Sequence, residues 1–493
     1  MKDRYYLILV VLMAGIMVIS SCRKENYVEG GDIIVRTSLD TLTFDTVFTQ
    51  IGTTTKFIKL YNDEEGTILI DDIRLANTSN IFRLNIDGHL VNEFQGLELA
   101  AKDSVYIFVE ATIDPEQPLD ASPYIIEDHL HINIGGNEKT ILLEAWGQNA
   151  VYVLGNDGPS GIGILNCDLG EELWNDERPY VIYGTLIIDS CQLILPAGAE
   201  VYVHGGVSFN QLGIYTGGLI YVTENGNIQA RGTVEEPVTI YSDRLEEDFE
   251  FVRGQYSGIV IGPLSQGTRL EHTTISNSAV GIRVDSLASA SLYNCEFSHT
   301  AGTGILGRQA NIYAENCLMH NNGLSGIQMA LGGNYEFNNC TIVNYDNQEE
   351  AISLSNFQCL DQLCLEPPLL ADLKVTFRNC LILGNDADEI LLSDWTPDTE
   401  DDFDFRFDHC FVQVDELLDD DAWPTFFNRC ENCLNNPPKD TLFIDMDNYD
   451  FHLDTLSTPI DAGKNLPFIF TVDKDGNERE DGAYDVGCYE FSL

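Results

Sequence analysis

The sequence predicts an all-β chain: an antiparallel sandwich followed by a solenoid of stacked coils. Three observations carry that reading. Short alternating apolar stretches separated by polar turns fill 32–153, a Gly-Ile pair then recurs at steps of 23, 23 and 22 residues, and an apolar spacing of i, i+3, i+5 follows each recurrence. The 493 residues suffice for two to four domains. With 44% hydrophobic residues the chain folds despite its formal net charge of −53, so the charge belongs on a surface. Only 26 Lys and Arg stand against 79 Asp and Glu. That balance excludes a nucleic-acid role, because phosphate contacts need a basic footprint.

The sandwich rests on stretches such as TKFIKLYN (55–62), GTILIDDIRL (66–75), SVYIFVEATI (104–113), HLHINIGG (129–136) and KTILLEAWG (139–147). Strands of this length and spacing pair antiparallel. The segment 97–115, apolar, then AAKDS, then VYIFVEATIDP, resembles the Ig-like modules of bacterial surface proteins. The resemblance implies a spacer and carries no chemical motif. A linker is expected over 154–174.

The solenoid rests on Gly258-Ile259, Gly281-Ile282, Gly304-Ile305 and Gly326-Ile327. A period of this size means stacked units, none able to bury its apolar face alone. In the following register Leu292, Cys295 and Phe297 repeat as Ala314, Cys317, Met319, as Phe337, Cys340, Ile342, as Phe377, Cys380, Ile382, and as Phe407, Cys410, Val412. A flat strand alternates faces at every second residue, so one extra residue between the first two positions means a bend. Asn294, Asn316, Asn339, Asn379 and finally His409 precede the cysteines. An Asn there can bond to its copies in adjacent coils. The pattern resembles the right-handed parallel β-helix (pectin-lyase-like) family, whose coils carry an asparagine ladder at one bend, and it places that fold over 175–455. The tail 456–493 resembles the closing segment of exported β-helix proteins, with Ser457 to Gly463, Asp473 to Arg479 and Asp485 to Phe491 as its three elements. Such a cap is expected to cover the last coil's open edge.

The first 22 residues, MKDRYYLILVVLMAGIMVISSC, have a basic start, an apolar run too short for a membrane span and a small-residue exit. Ile19-Ser20-Ser21-Cys22 resembles the lipobox of bacterial lipoproteins. The resemblance implies cleavage before Cys22, lipidation of its thiol, a tether over 23–31 and a membrane partner bound through the lipid. No Asp follows Cys22, so the outer membrane of the cell envelope is the expected location, on either face.

Of 13 cysteines, Cys295, Cys317, Cys340, Cys380 and Cys410 share one repeat position and read as a buried internal ladder. One sulfur per coil spreads ligands along steps of ~4.8 Å instead of around a tetrahedron, so a metal is not expected. Cys359 and Cys364 in FQCLDQLCLEPP, and Cys430 and Cys433 in RCENC, are spaced for local disulfides or free thiols. The acidic runs 243–251, 398–405 and 415–423 read as solvated turns, with Ca²⁺ binding as the alternative. No cofactor motif is present. The N-T-D, D-D and G-H-G set of the polygalacturonase family is missing. The arginines Arg253, Arg269, Arg283, Arg308, Arg378 and Arg406 and Lys374 read as scattered, not stacked as lyase chemistry would need. The expected function is therefore non-catalytic binding of carbohydrate or another envelope component, with a polysaccharide lyase or glycoside hydrolase of atypical site residues as the rival.

Overall fold

A computed structural model describes residues 27–28, 35–48, 55–77, 81–112, 124–154, 161–167, 170–205, 208–209, 215–345, 347, 349–361, 364–396, 402–419, 423–438, 442–466, 470–479 and 484–491. The expected signal segment, the lipidated Cys22 and all of the 23–31 tether except Tyr27 and Val28 lie outside them. The chain divides into two units, Met1–Asn149 and Ala150–Leu493. All regular structure is β-strand apart from short 3-10 turns.

The first unit is a sandwich of two five-stranded sheets. One runs in the order Arg36–Thr37, Lys56–Tyr61, Ser104–Ala111, Phe82–Ile86, His89–Leu90, and the other in the order Thr41–Phe48, Asn137–Gln148, Tyr124–Ile134, Ile68–Leu75, Glu93–Leu99. Alternation sends Ile58, Leu60, Leu84, Ile107 and Val109 from the first sheet, and Ile70, Ile73, Leu130, Ile132, Ile141 and Leu143 from the second, into one dry core. One pairing departs from the antiparallel expectation: Thr41–Phe48 runs parallel to Asn137–Gln148. Such a pair needs a long crossover, and here the rest of the unit supplies it.

The second unit is a parallel β-helix built from an 11-stranded and a 17-stranded sheet. Register fixes the repeat: Leu270, Leu292, Ala314, Phe337, Phe377 and Phe407 stack in one row, and Ile275, Phe297, Met319, Ile342, Ile382 and Val412 in another. Between the rows Asn294, Asn316, Asn339, Asn379 and His409 hold φ between 49° and 54°, the left-handed bend that the extra residue requires. Asn316 Nδ2 donates to Asn294 Oδ1 at 3.1 Å, and Asn379 Nδ2 to Asn339 Oδ1 at 2.9 Å. Gly281 is glycine because a Cβ there would lie 2.4 Å from the Gly304 carbonyl oxygen of the next coil.

The solenoid begins earlier than expected. Val151–Leu154 pairs in parallel with Tyr180–Tyr183, Ile162–Leu165 with Thr185–Ile188, and Glu171–Leu173 with Gln192–Leu195, so the stretch expected to link the domains is the first coil. The tail also differs from a cap over the last strand. It lies along the flank of the coils: the Gly487 amide donates to the Asn379 carbonyl, the Cys488 amide to Thr341 Oγ1, and Arg479 Nη2 to Asn316 Oδ1. Phe443, Phe451, Leu453, Val486 and Tyr489 bury Leu318, Val343, Leu381 and Leu383 there.

Candidate functional site

The five ladder cysteines are fully buried free thiols, each donating to the carbonyl two residues before it; for Cys295 and Tyr293 the separation is 3.3 Å. The chain contains a sixth rung. Cys430 stacks beneath Phe407, Asn432 takes φ 53°, and Cys433 donates to the Glu431 carbonyl, so Cys430 and Cys433 occupy the first and fourth positions of the repeat. Of the two states their spacing allows, disulfide or free thiols, both are free thiols, and the spacing of three reflects a strand bend. Cys359 and Cys364 are bonded to each other, and a second disulfide, Cys167–Cys191, joins the first coils. Cys295, Cys317, Cys340, Cys380 and Cys410 form a structural spine with no access to solvent, and Cys430 and Cys433 at its end are partly exposed.

Arg283 and Arg308 meet on neighbouring coils over one buried carboxylate. Asp285 lies 2.9 Å from Arg283 and 3.8 Å from Arg308, and Arg308 also donates to Gln358 at 2.6 Å. Both guanidinium groups are thus held by the protein itself. Asp473, first residue of DKDGN, spends its carboxylate on the amides of Asp475, Asn477 and Glu490. Among the described residues no three His, Cys, Asp or Glu side chains gather at metal-binding distances.

The chemistry-bearing cluster lies on the outer face of the 11-stranded sheet. Strands Thr273–Ser276, Glu296–Ser298 and Leu318–His320 stack in register, so Thr274, Glu296 and Leu318 form one outward row and Ser276, Ser298 and His320 the next. Asn277, His299 and Asn321 follow as a second series of left-handed bends, φ 64°, 50° and 54°. Asn277 and His299 line a cleft of about 410 Å³ with Tyr241, Glu247, Glu250, Phe251, Tyr449 and Tyr489, a size suited to a small ligand.

Two insertions wall the cleft. Asn277 Nδ2 donates to the carbonyls of Glu250 at 2.8 Å and Val252 at 3.1 Å, pinning the 243–255 loop and placing the Phe251 ring 5.1 Å from His299. From the segment before the tail, Tyr449 packs edge-on against Phe251 at 5.6 Å and against His299 at 5.2 Å. Beneath them Lys474 Nζ donates to Glu296 Oε2 at 3.0 Å, and His320 Nε2 faces Glu296 Oε1 at 3.2 Å. Burial pushes the Glu296 carboxyl up, but the charges of Lys474 and His320 outweigh it and hold the group well below the usual carboxylate range. Burial likewise works against the Lys474 ammonium, and the Glu296 carboxylate reverses the effect, leaving the lysine firmly charged.

His299 differs from its neighbours. It is 7% exposed, its Nδ1 faces Ser276 Oγ at 3.4 Å, and its Nε2 is buried with no protein partner. Burial, then the nearby His320 and Arg253 charges, bring its pKa down to about 4, so the ring is neutral at pH 7. The cleft therefore combines serine hydroxyls and aromatic rings with an imidazole whose Nε2 is buried and unpaired. That combination suits a molecule with apolar C–H faces and hydroxyl edges. None of these residues stands out in the sequence, because the histidines in FSHT and MHNN occupy ordinary repeat positions and the walls arrive from an insertion and the tail.

Residues 214–360 and 257–406 match the family described as right handed beta helix region. No curated protein sequence matches the chain. Among solved structures, the chain is similar to a family 123 glycoside hydrolase from Clostridium perfringens, with 11% identity over 26% of this chain and 26% of that one, TM-score 0.19. It is also similar to the catalytic unit of a thermostable GH87 alpha-1,3-glucanase from Streptomyces thermodiastaticus strain HF3-3, with 8% identity over 72% of this chain and 74% of that one, TM-score 0.22. The chain thus spans about a quarter of the first structure's length, and neither likeness assigns an activity.

Proposed function

We propose that the protein is a lipid-anchored cell-envelope protein, held at the outer membrane through Cys22, that binds a saccharide in the His299 cleft without converting it. One observation carries the binding reading: a buried, unpartnered His299 Nε2 beside Ser276 and Ser298, packed with the rings of Phe251 and Tyr449 in the lining of one cleft. Pyranose rings present C–H faces to aromatic side chains and hydroxyls to polar atoms, and sites of this kind combine mostly apolar walls with a few placed polar groups. The lipid anchor is supported by the I-S-S-C motif at Ile19 to Cys22 and by the short apolar run before it.

A glycan microarray probed with the full chain, followed by calorimetry on the best ligand, tests the reading. Phe251→Ala is expected to weaken binding about tenfold or more, the loss of one ring contact. Failure to bind any glycan, or binding indifferent to this substitution, overturns it. Radiolabelled palmitate incorporation, lost in Cys22→Ala, tests the anchor.

A catalytic reading draws on the same nitrogen, since a neutral, unpaired imidazole can accept a proton from a bound sugar or water. Reducing-end and unsaturated-product assays separate the two. Turnover abolished by His299→Asn would replace binding by catalysis.

A further inference from the structure

The sandwich carries an aromatic face of its own. On the sheet containing Lys56–Tyr61 and Ser104–Ala111, the side chains turned away from the core include Phe57, Lys59 and Tyr61 on one strand and Tyr106 and Phe108 on its neighbour. Phe57, Tyr106 and Phe108 are 49%, 41% and 39% exposed, high for rings that could have been buried. They touch one another: Phe57 lies 5.2 Å from Tyr106 and 6.3 Å from Phe108, while Tyr106 and Phe108 lie 5.9 Å apart and 14° from parallel. Contiguous exposed aromatics rimmed by polar residues mark an interaction surface.

The rim carries one cation that no carboxylate answers among the described residues. Lys59 Nζ stands 4.8 Å from the Tyr106 ring and 5.2 Å from the Tyr61 ring, with no carboxylate partner among the described residues. Arg36 lies over Tyr61 at 4.0 Å and pairs with Asp63, and Arg83 stands in register opposite Glu110 on the same face. In a chain of net charge −53, an unpaired ammonium beside three open rings is a local inversion of sign. Such an inversion admits an anion where the surrounding field repels one.

We propose that this face is a second, separate glycan-binding platform, and that it takes an acidic polysaccharide whose pyranose faces lie on Tyr106, Phe108 and Phe57 while a uronate carboxylate meets Lys59. Neutral polymers lack the group that Lys59 selects. The platform makes the sandwich a binding module instead of a plain spacer, and it does not depend on the reading of the His299 cleft.

Affinity electrophoresis of the full chain through gels containing polygalacturonate, with dextran as the neutral polymer, tests it. Polygalacturonate is expected to retard the wild type and dextran is not. Tyr106→Ala and Lys59→Gln are each expected to lower the association constant about tenfold, and added salt should erase the difference made by Lys59→Gln. Unaltered thermal midpoints establish that the exposed-ring variants fold. Retardation that survives Tyr106→Ala combined with Phe108→Ala overturns the proposal, as does equal retardation by dextran. Self-association in sedimentation velocity that the same substitutions abolish also overturns it, since a second copy would then be the occupant.

Discussion

Replacing Lys474 by Met removes the cation that joins the tail to the cleft floor. The Lys474 and Glu296 side chains are 14% and 24% exposed and 3.0 Å apart. A fully buried pair broken on one side costs roughly 3–5 kcal/mol, and the residual exposure brings the expected loss to about 2–3 kcal/mol. Glu296→Gln should cost a similar amount, and the double variant should be less destabilised than the sum of the singles by about 2 kcal/mol, because the second change removes a charge already orphaned. Urea unfolding of the full chain, read as a shift of midpoint at constant slope, measures all three. The pair also sets a pH dependence. The Glu296 pKa is lowered, so its contribution is present above the usual carboxylate value and fades as pH falls through the depressed one. The Lys474 pKa is raised, so its contribution holds below the usual lysine value and fades only in strong alkali. Lys474→Met should therefore lose stability across neutral pH and little in strong acid. A midpoint equal to wild type at pH 7, or strictly additive variants, would refute the reasoning.

Three further outcomes follow from the same geometry. Asn316 is fully buried at φ 53°, bonded to Asn294, Val472 and Arg479, so Asn316→Gly should cost about 3 kcal/mol and Asn316→Ala about 1 kcal/mol more, from urea midpoints; equal costs would contradict the left-handed bend. Phe377 is buried between Phe337 at 5.0 Å and Phe407 at 5.1 Å, so Phe377→Ala should cost about 3–5 kcal/mol by the same assay, and a loss near zero would contradict the stacked row. The His299 pKa is lowered from 6.5 to about 4, so the folded state binds fewer protons than the unfolded one between those values and stability rises with pH there. His299→Asn keeps a residue suited to the bend and should remove roughly 3 kcal/mol of that rise in pH-dependent unfolding, whereas an unchanged slope would place the ring in water.

The coil repeat was legible because stacking acts on every lap alike. The Gly-Ile step and the i, i+3, i+5 spacing are imposed by contacts of each coil with the next, so they recur in the sequence. Legibility failed where a lap breaks the rule. The sixth rung has Cys430 where the others have apolar carbons and Asn435 where they have Phe, Ile, Met or Val, and its two cysteines therefore resembled a disulfide. The first coil was hidden because Glu171–Leu173 is exposed and carries no apolar signature. The cleft was hidden for a different reason. Glu296, His299 and His320 lie within about one coil of each other, but Phe251 and Lys474, separated by more than two hundred residues of chain, are brought to them only by the packing of a loop and a tail. Arg283 and Arg308 each follow a Gly-Ile pair on neighbouring coils, but the Asp285 they share is a contact that only coil stacking creates.

The claim on which the functional account turns is that a sugar sits in the His299 cleft. A crystal structure of the full chain, soaked with the oligosaccharide that binds best on the array, tests it directly. A pyranose ring is expected to lie against the exposed faces of Phe251 and Tyr449, with a hydroxyl within about 3 Å of His299 Nε2. An empty cleft at saturating ligand, with the oligosaccharide ordered elsewhere on the solenoid, would contradict it.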